Sequence, residues 1–249
     1  MMSRPAISGA TLRKRSSART TGPFTRTSAS QAVRALKNKT SPLEKDKGRL
    51  ALGVIILAAG ESTRMGRPKL LLPWGKTSII GHLINQWQEL RADQICVVLR
   101  SGDQPLNAEL DRLGFPPENR IENPEPKRGM FSSIQCAANW NGWENDLNAW
   151  AVILGDQPHL QIGTLRELLA FGREHPDAIC QPAHGGHARH PVLLPRPAFA
   201  ELRRTRAENL KDFLRQTSCR LLEHPVEDPG LAVDLDRPED YELAAKSWR

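Results

Sequence analysis

The residues with the most chemistry in this 249-residue chain lie between Leu57 and Gly75, in LAAGESTRMGRPKLLLPWG. Ala58, Ala59 and Gly60 carry little or no side chain, so their backbone can come close to a ligand and aim N–H groups at anionic oxygens. Arg64 and Lys69 follow at fixed offsets and supply positive charge, while Leu57 closes the apolar run that leads in. The combination suits a nucleoside triphosphate. It is neither the G-x-x-x-x-G-K-[ST] loop nor the G-x-G-x-x-G turn, so the two commonest phosphate binders are excluded. A strand and turn with merely solvated basic residues is the plainer alternative. It does not explain why small residues, Arg and Lys fall together at those offsets.

Acidic residues that could complement this loop come much later. Gly155-Asp156-Gln157-Pro158 ends an apolar run roughly 100 residues downstream. An Asp at the end of a buried strand faces the crevice with an apolar wall behind it, and its oxygens suit Mg²⁺ shared with phosphate. Alone, a strand followed by an Asp turn is ordinary structure. Asp234 and Asp236 would share one side of an extended segment. Pro238 then opens a last helix, with Glu239 and Asp240 favourable to its dipole. Asp240 reads as a cap, and Asp236 as either a cap or a metal ligand. Asn123 and Gly129-Met130-Phe131-Ser132-Ser133 read equally as a helix cap or as hydrogen-bonding groups for a ligand. His184, His187 and His190 recur at every third position but lack the partners of a closed zinc site.

The elements that must position these residues alternate between strand and helix. Strands are expected at Val54–Leu57, Ile95–Leu99, Arg120–Glu122, Ala151–Leu154, Ala178–Gln181, Val192–Leu194 and near Leu221–Val226. Helices are expected at Ser78–Arg91, Pro105–Leu113, Gly129–Trp140, Ile162–Phe171, Pro197–Arg203, Asn209–Arg215 and after Pro238. Such alternation predicts an α/β, Rossmann-like three-layer sandwich with a mostly parallel central sheet. Ligands of such sheets bind beyond the carboxyl ends of the strands, where both the Leu57–Lys69 loop and Asp156 fall.

The loop closely resembles the signature L-A-A-G-x-S-x-R-M-G-x-P-K-L-L of the MobA-like nucleotidyltransferases, and within them it is most similar to the molybdenum cofactor cytidylyltransferases. Gly60, Arg64, Met65, Gly66, Pro68 and Lys69 all match, and Thr63 stands at a variable position. The resemblance runs from Val54 to Ala245 and implies a fold of the nucleotide-diphospho-sugar transferase type. It implies transfer of a nucleoside monophosphate from an NTP, here CTP, to a phosphorylated acceptor, here molybdopterin, with pyrophosphate released. It implies catalytic roles for Arg64 and Lys69, and nucleotide contacts from Leu57, Ala58, Ala59, Gly60, Asn123 and Ser133. Asp156 and Asp236 would hold Mg²⁺, with Asp234 in support, and His190 and Pro191 would face the acceptor. Ala59 stands where the guanylyl branch has Gly, beside the expected base. Two departures bear on the acceptor: Arg189 occupies a Gly position of the family's G-x-R-G-H-P-V element, and Arg206–Leu210 lacks its Gly-Asp loop. They leave open a transferase for a sugar or alcohol phosphate. A non-catalytic maturation factor serving a molybdenum enzyme is a further alternative, against which the intact Arg64, Lys69, Asp156 and Asp236 speak.

The net charge of +7 is unevenly spread. Residues 1–49 hold twelve basic and two acidic side chains, +10, which leaves −3 for residues 50–249. The body therefore gives no electrostatic reason to expect nucleic acid. The Ser-, Thr- and Arg-rich segment 1–49 reads as a disordered extension or an over-called start, with a transit peptide as the alternative. By the same resemblance residues 50–249 read as one transferase domain, and no stretch is apolar enough to span a membrane. Cys96, Cys136, Cys180 and Cys219 are far apart and form no C-x-x-C pair, which fits buried thiols in a reducing cytoplasm.

Overall fold

The computed structural model describes residues 49–247, so the basic segment up to Gly48 lies outside the described residues. The chain runs β1 (Leu52–Leu57), a hairpin of β2 (Pro73–Trp74) and β3 (Thr77–Ser78), α1 (Ile79–Glu89), β4 (Gln94–Arg100), α2 (Gln104–Arg112), β5 (Arg120–Asn123) and α3 (Met130–Asn139). It continues through β6 (Ala149–Leu154), α4 (Ile162–Glu174), β7 (Ile179–His184), β8 (His187–Ala188), β9 (Val192–Pro195), α5 (Arg196–Leu202), α6 (Leu210–Gln216), β10 (Leu221–Pro225) and α7 (Pro238–Ser247). Every expected strand and helix is present, with ends shifted by no more than three residues.

Strand β1 sits inside the sheet with all six residues buried. Val54 and Ile56 enter one apolar cluster and Ile55 and Leu57 the other, the period-2 alternation of a strand covered on both faces. The first cluster takes in Leu83 and Trp87 of α1, Leu110 of α2 and Leu168 of α4. The second takes in Ile134 of α3, Phe199 of α5 and Phe213 of α6. Three layers result. Ser78, Asp103 and Asn209 start α1, α2 and α6 by accepting a backbone N–H from Gly81, Leu106 and Asp212.

The spatial strand order is β5-β4-β1-β6-β9-β7-β10, with β8 paired to β7. Strands β4 and β6 flank β1 in parallel, and β5 extends the sheet beyond β4 in the same sense. The chain thus leaves β1 toward one edge and returns through β6 to its other side. That reversal makes the carboxyl end of β1 a topological switch point, where ligands of open α/β sheets bind.

The sheet is mostly parallel but mixed. Strand β9 runs antiparallel to both β6 and β7. No helix separates β7 from β9, and a parallel return needs a crossover of a dozen or more residues. Gly185 and Gly186, with φ of 60° and 76°, make the tight turn from β7 into β8 instead. All four cysteines are free thiols, Cys96 and Cys180 buried and Cys136 and Cys219 half-buried. Burial pushes the Cys180 thiol up to about 11. No helix among the described residues is long and apolar enough to cross a membrane.

Candidate active site

The loop after β1 is pinned at several points. Ala58 N–H donates to the Val98 carbonyl (2.8 Å), prolonging the β1–β4 pairing by one residue. Met65 is buried in the first apolar cluster and anchors the middle of the loop. Ser62, at φ 49°, accepts the Met65 N–H on its carbonyl and the Lys69 N–H on its Oγ. Lys69 then opens a short 3₁₀ turn, Lys69–Leu71, that leads into the β2–β3 hairpin. The spacing between Ala58 and Lys69 is therefore a small closed loop with its basic residues held over the end of β1.

Strand β6 delivers Asp156 to the same place. Gly155 N–H donates to the Leu57 carbonyl (3.1 Å). A Cβ at position 155 would stand 2.6 Å from that oxygen, so only glycine lets the two strand ends approach this closely. Asp236 arrives from an extended segment in which Leu235 is fully buried while Asp234 is exposed. The buried Leu235 fixes which way its acidic neighbours face. Asp240 Oδ2 accepts the Arg237 N–H (3.0 Å) at the start of α7, the capping role expected of it.

The four charged residues meet. Lys69, only 8% exposed, places Nζ 3.0 Å from Asp156 Oδ2 and 3.2 Å from Asp236 Oδ1. Arg64 Nη1 lies 2.5 Å from Asp236 Oδ2. They border a cavity of about 400 Å³ that Leu57, Ala58, Gly60 and Ser62 also line. A second cavity of about 310 Å³ shares Gly60 and Lys69 and runs on toward Arg67, Arg100 and Asp103. A Cβ on Gly60 would meet open space. Two cations on two carboxylates leave the site near neutral, with oxygen donors that suit a hard divalent ion beside phosphate. Among the described residues no group of three or more His, Cys, Asp or Glu is placed to hold a metal ion.

The other expected site residues do not line these two cavities. Ala59 is buried and lines neither cavity. Asn123 is 1% exposed; its amide donates to Ser132 Oγ and Ser133 Oγ, and its oxygen accepts the Glu125 N–H. Asn123 and Ser133 therefore brace the end of β5 against the start of α3. His190 directs Nδ1 at the Val152 carbonyl (3.3 Å). Burial pushes its pKa below the usual histidine value, against the raising influence of that carbonyl and of the Asp156 and Asp234 carboxylates. Pro191 beside it is buried.

Sequence reasoning missed two supports. Asp228, 1% exposed, accepts from Gln161 N–H, Thr164 Oγ and Gly230 N–H, tying the first turn of α4 to the segment that leads to Asp236. His159 Nε2–H reaches the Gly230 carbonyl (3.0 Å) and the Val233 carbonyl (3.2 Å), linking the Asp156 turn to the same segment. The Pro following Asp228 was the available signal, since an Asp before such a turn is a natural cap.

A family model for the MobA-like NTP transferase domain matches residues 54–223. The chain is 25% identical over 199 residues to the molybdenum cofactor cytidylyltransferase of Escherichia coli K12, spanning 80% of this chain and 97% of that protein. It is 34% identical over 125 residues to the bifunctional protein GlmU of Leifsonia xyli, there covering 49% of this chain and only 25% of the relative. Among solved structures, a nucleotidyl transferase from Methanothermobacter thermautotroptrophicus superposes with a TM-score of 0.64 at 18% identity, over 80% of this chain and 97% of that one. The fold is that of the nucleotide-diphospho-sugar transferases.

Proposed function

The chain belongs to the MobA-like NTP transferase family, and from that premise we propose that it transfers CMP from CTP to the phosphate of a small acceptor, molybdopterin foremost, with Mg²⁺ as its metal. The observation that carries the reading is the convergence of Arg64 and Lys69 with Asp156 and Asp236 on one cavity at the carboxyl end of β1. An acceptor phosphate oxygen bonds to the α-phosphorus, the bond to the bridging oxygen breaks, and pyrophosphate leaves. Positioning and charge stabilisation are then the protein's whole task.

Each residue has a part in that task. Asp156 and Asp236 are the residues to hold Mg²⁺, whose chemistry when bound is to spread the charge of the reacting phosphates. Lys69 and Arg64 exchange their carboxylate partners for phosphate oxygens. The backbone around Gly60 supplies N–H donors to the same phosphates. His190, engaged through Nδ1 with the Val152 carbonyl, keeps Nε2 to accept a hydrogen bond from the acceptor. Ala58-Ala59 and the Leu70–Trp74 run are more similar to the cytidylyl than to the guanylyl branch of the family, and the Escherichia coli relative supports CTP and molybdopterin. The free thiols favour a cytoplasmic setting, and the reading implies a molybdenum enzyme as recipient of the product.

A sugar or alcohol phosphate is the second reading for the acceptor, favoured by Arg189 in place of the family's Gly. A pure cofactor carrier is disfavoured, because it has no use for two carboxylates and two cations around a nucleotide loop. The test is a pyrophosphate-release screen of purified protein with each NTP, Mg²⁺ and molybdopterin or other phosphorylated acceptors. Release that needs CTP and molybdopterin together supports the proposal. Release with a sugar phosphate alone promotes the second reading, and no release with any pair refutes transfer.

A further inference from the structure

Asp236 reaches the reaction centre by a route that the sheet does not secure. Its segment follows β10, the outermost strand, which β9 and β7 separate from β6. Val226 N–H still donates to the Ala183 carbonyl (3.0 Å) of β7. Beyond it, among the described residues, the stretch 227–236 makes backbone bonds only within itself, Leu231 N–H to the Asp228 carbonyl and Val233 N–H to the Gly230 carbonyl. Side chains therefore fasten it to the body. Leu231 and Leu235 are buried in the first apolar cluster, Asp228 caps the first turn of α4, and His159 reaches across from the Asp156 turn. Arg64 and Lys69 also hold Asp236 itself, but these are the cations that the transferase reading sends to phosphate.

His159 stands three residues after Asp156, and Val233 three residues before Asp236. The imidazole Nε2 lies 3.0 Å from the Gly230 carbonyl oxygen and 3.2 Å from that of Val233. Both partners are acceptors, so Nε2 carries the proton and shares it between them. The ring packs near Trp74, with centroids 6.5 Å apart and planes at 55°. Gly230 leaves it room, since a Cβ there would stand 3.1 Å from His159 Cδ2. Downstream, Tyr241 donates its hydroxyl proton to the Pro73 carbonyl (2.6 Å), which ties α7 to β2. Asp236 is thus suspended between an anchor on the hairpin and an anchor on the Asp156 turn itself. Two carboxylates gathered for one metal repel each other until it arrives, and a spacing fixed beforehand favours its binding.

We propose that His159 is a positioning residue: its shared N–H holds the Asp236 segment against the Asp156 turn, at the separation at which both carboxylates grip one divalent cation. The proposal rests on the transferase reading's assignment of the metal to Asp156 and Asp236, and deepens it. His159 acts through the backbone of Gly230 and Val233 rather than on the reacting atoms. Removing its donor leaves both carboxylates in place but frees their separation, so metal binding weakens before anything else does.

The experiment compares wild type with His159→Phe, which keeps a ring and loses the donor, and His159→Gln, whose amide N–H can restore it. Mn²⁺ is titrated calorimetrically into each protein without nucleotide, with Asp156→Asn as the control that reports the site. His159→Phe should weaken Mn²⁺ binding about 10-fold, and His159→Gln should recover most of that loss. In pyrophosphate release, His159→Phe should need about 10-fold more Mg²⁺ for half-maximal rate, with most of the rate regained at saturating Mg²⁺. A protein that is merely less stable shows no such rescue. Gly230→Ala presses on the same ring from the other side and should also weaken Mn²⁺ binding; it decides the matter if His159→Phe does not fold. Unchanged Mn²⁺ affinity in folded His159→Phe overturns the proposal. So does a loss that His159→Gln leaves unrecovered, a lowered rate that Mg²⁺ does not rescue, or a wild type whose Mn²⁺ binding is absent or indifferent to Asp156→Asn. A His159-dependent Mn²⁺ site without release from any nucleotide upholds the positioning role and refutes the transferase reading. Release with Mn²⁺ affinity indifferent to His159 does the reverse.

Discussion

Replacing Lys69 with Ala should strengthen metal binding to the free protein while destroying turnover. In the structure Nζ lies 3.0 Å from one carboxylate and 3.2 Å from the other, so the lysine stands in for a cation between Asp156 and Asp236. Each contact is worth about 5 kcal/mol by Coulomb's law at an effective dielectric constant of about 20. The Asp156 and Asp236 side chains are 28% and 42% exposed, so solvent screens both contacts. Burying the ammonium offsets more of the attraction, which leaves a net of about 1–2 kcal/mol. A metal ion entering alone must overcome that amount. Mn²⁺ should therefore bind Lys69→Ala about 5- to 30-fold more tightly than wild type without nucleotide, as read by calorimetry. Turnover should fall about 100- to 1000-fold, because a preorganised positive group is missing from the transition state. Lys69→Arg should keep metal binding weak, since it keeps the charge. Mn²⁺ affinity that is unchanged or lower in Lys69→Ala, in a protein with a normal melting profile, would refute the reasoning.

Other perturbations follow from the same contacts. Asp156→Asn keeps the shape and removes the charge, so it should shift the Mg²⁺ titration of turnover to higher concentration; an unaltered titration would mark Asp156 as a turn residue. Gly155→Ala puts a Cβ 2.6 Å from the Leu57 carbonyl oxygen and 3.1 Å from Leu70, and should cost about 1–3 kcal/mol in urea unfolding together with lost activity. Wild-type stability and activity in that variant would mean the β1–β6 approach is not critical. His82 has its pKa lowered by burial, against the Pro158 carbonyl. The unfolded chain thus binds more protons just below about pH 6.5, and stability should fall as pH drops through that window. Urea midpoints that stay as pH-sensitive in His82→Gln as in wild type would assign the effect elsewhere.

The parts legible in the sequence were those encoded locally. Val54–Leu57 announced a buried strand, and the Ala58–Lys69 spacing announced a phosphate-binding loop with two cations, though not its closure through Ser62. Asp156 and Asp236 were identifiable one at a time. Their joint grip on Lys69 was not, because the partners are 87 and 167 residues away from it and no local rule brings them together. The direction of β9 was equally hidden, since an apolar run such as Val192–Leu194 reads the same both ways. Asn123 and Ser133 read from sequence equally as a cap or as groups offered to a ligand, and their hydrogen bond to one another across ten residues was not foreseeable from residue type alone. Ala59 shows the same limit: its small size was visible, but not that it would line neither cavity.

The two margins of the sheet have a bearing on how the protein behaves when concentrated. One margin, β5, is four residues long, carries Arg120 and the exposed Glu122, and is followed at once by Pro124. The other, β10, carries Glu223 and closes on Pro225. Short length, outward charge and a proline that cannot donate are the features that stop one molecule's sheet from templating another's. Ladder growth from copy to copy is thereby blocked at both ends. Among the described residues, association of one copy with another is left to helix faces and loops, and handling at high concentration should not seed fibrils through the native sheet.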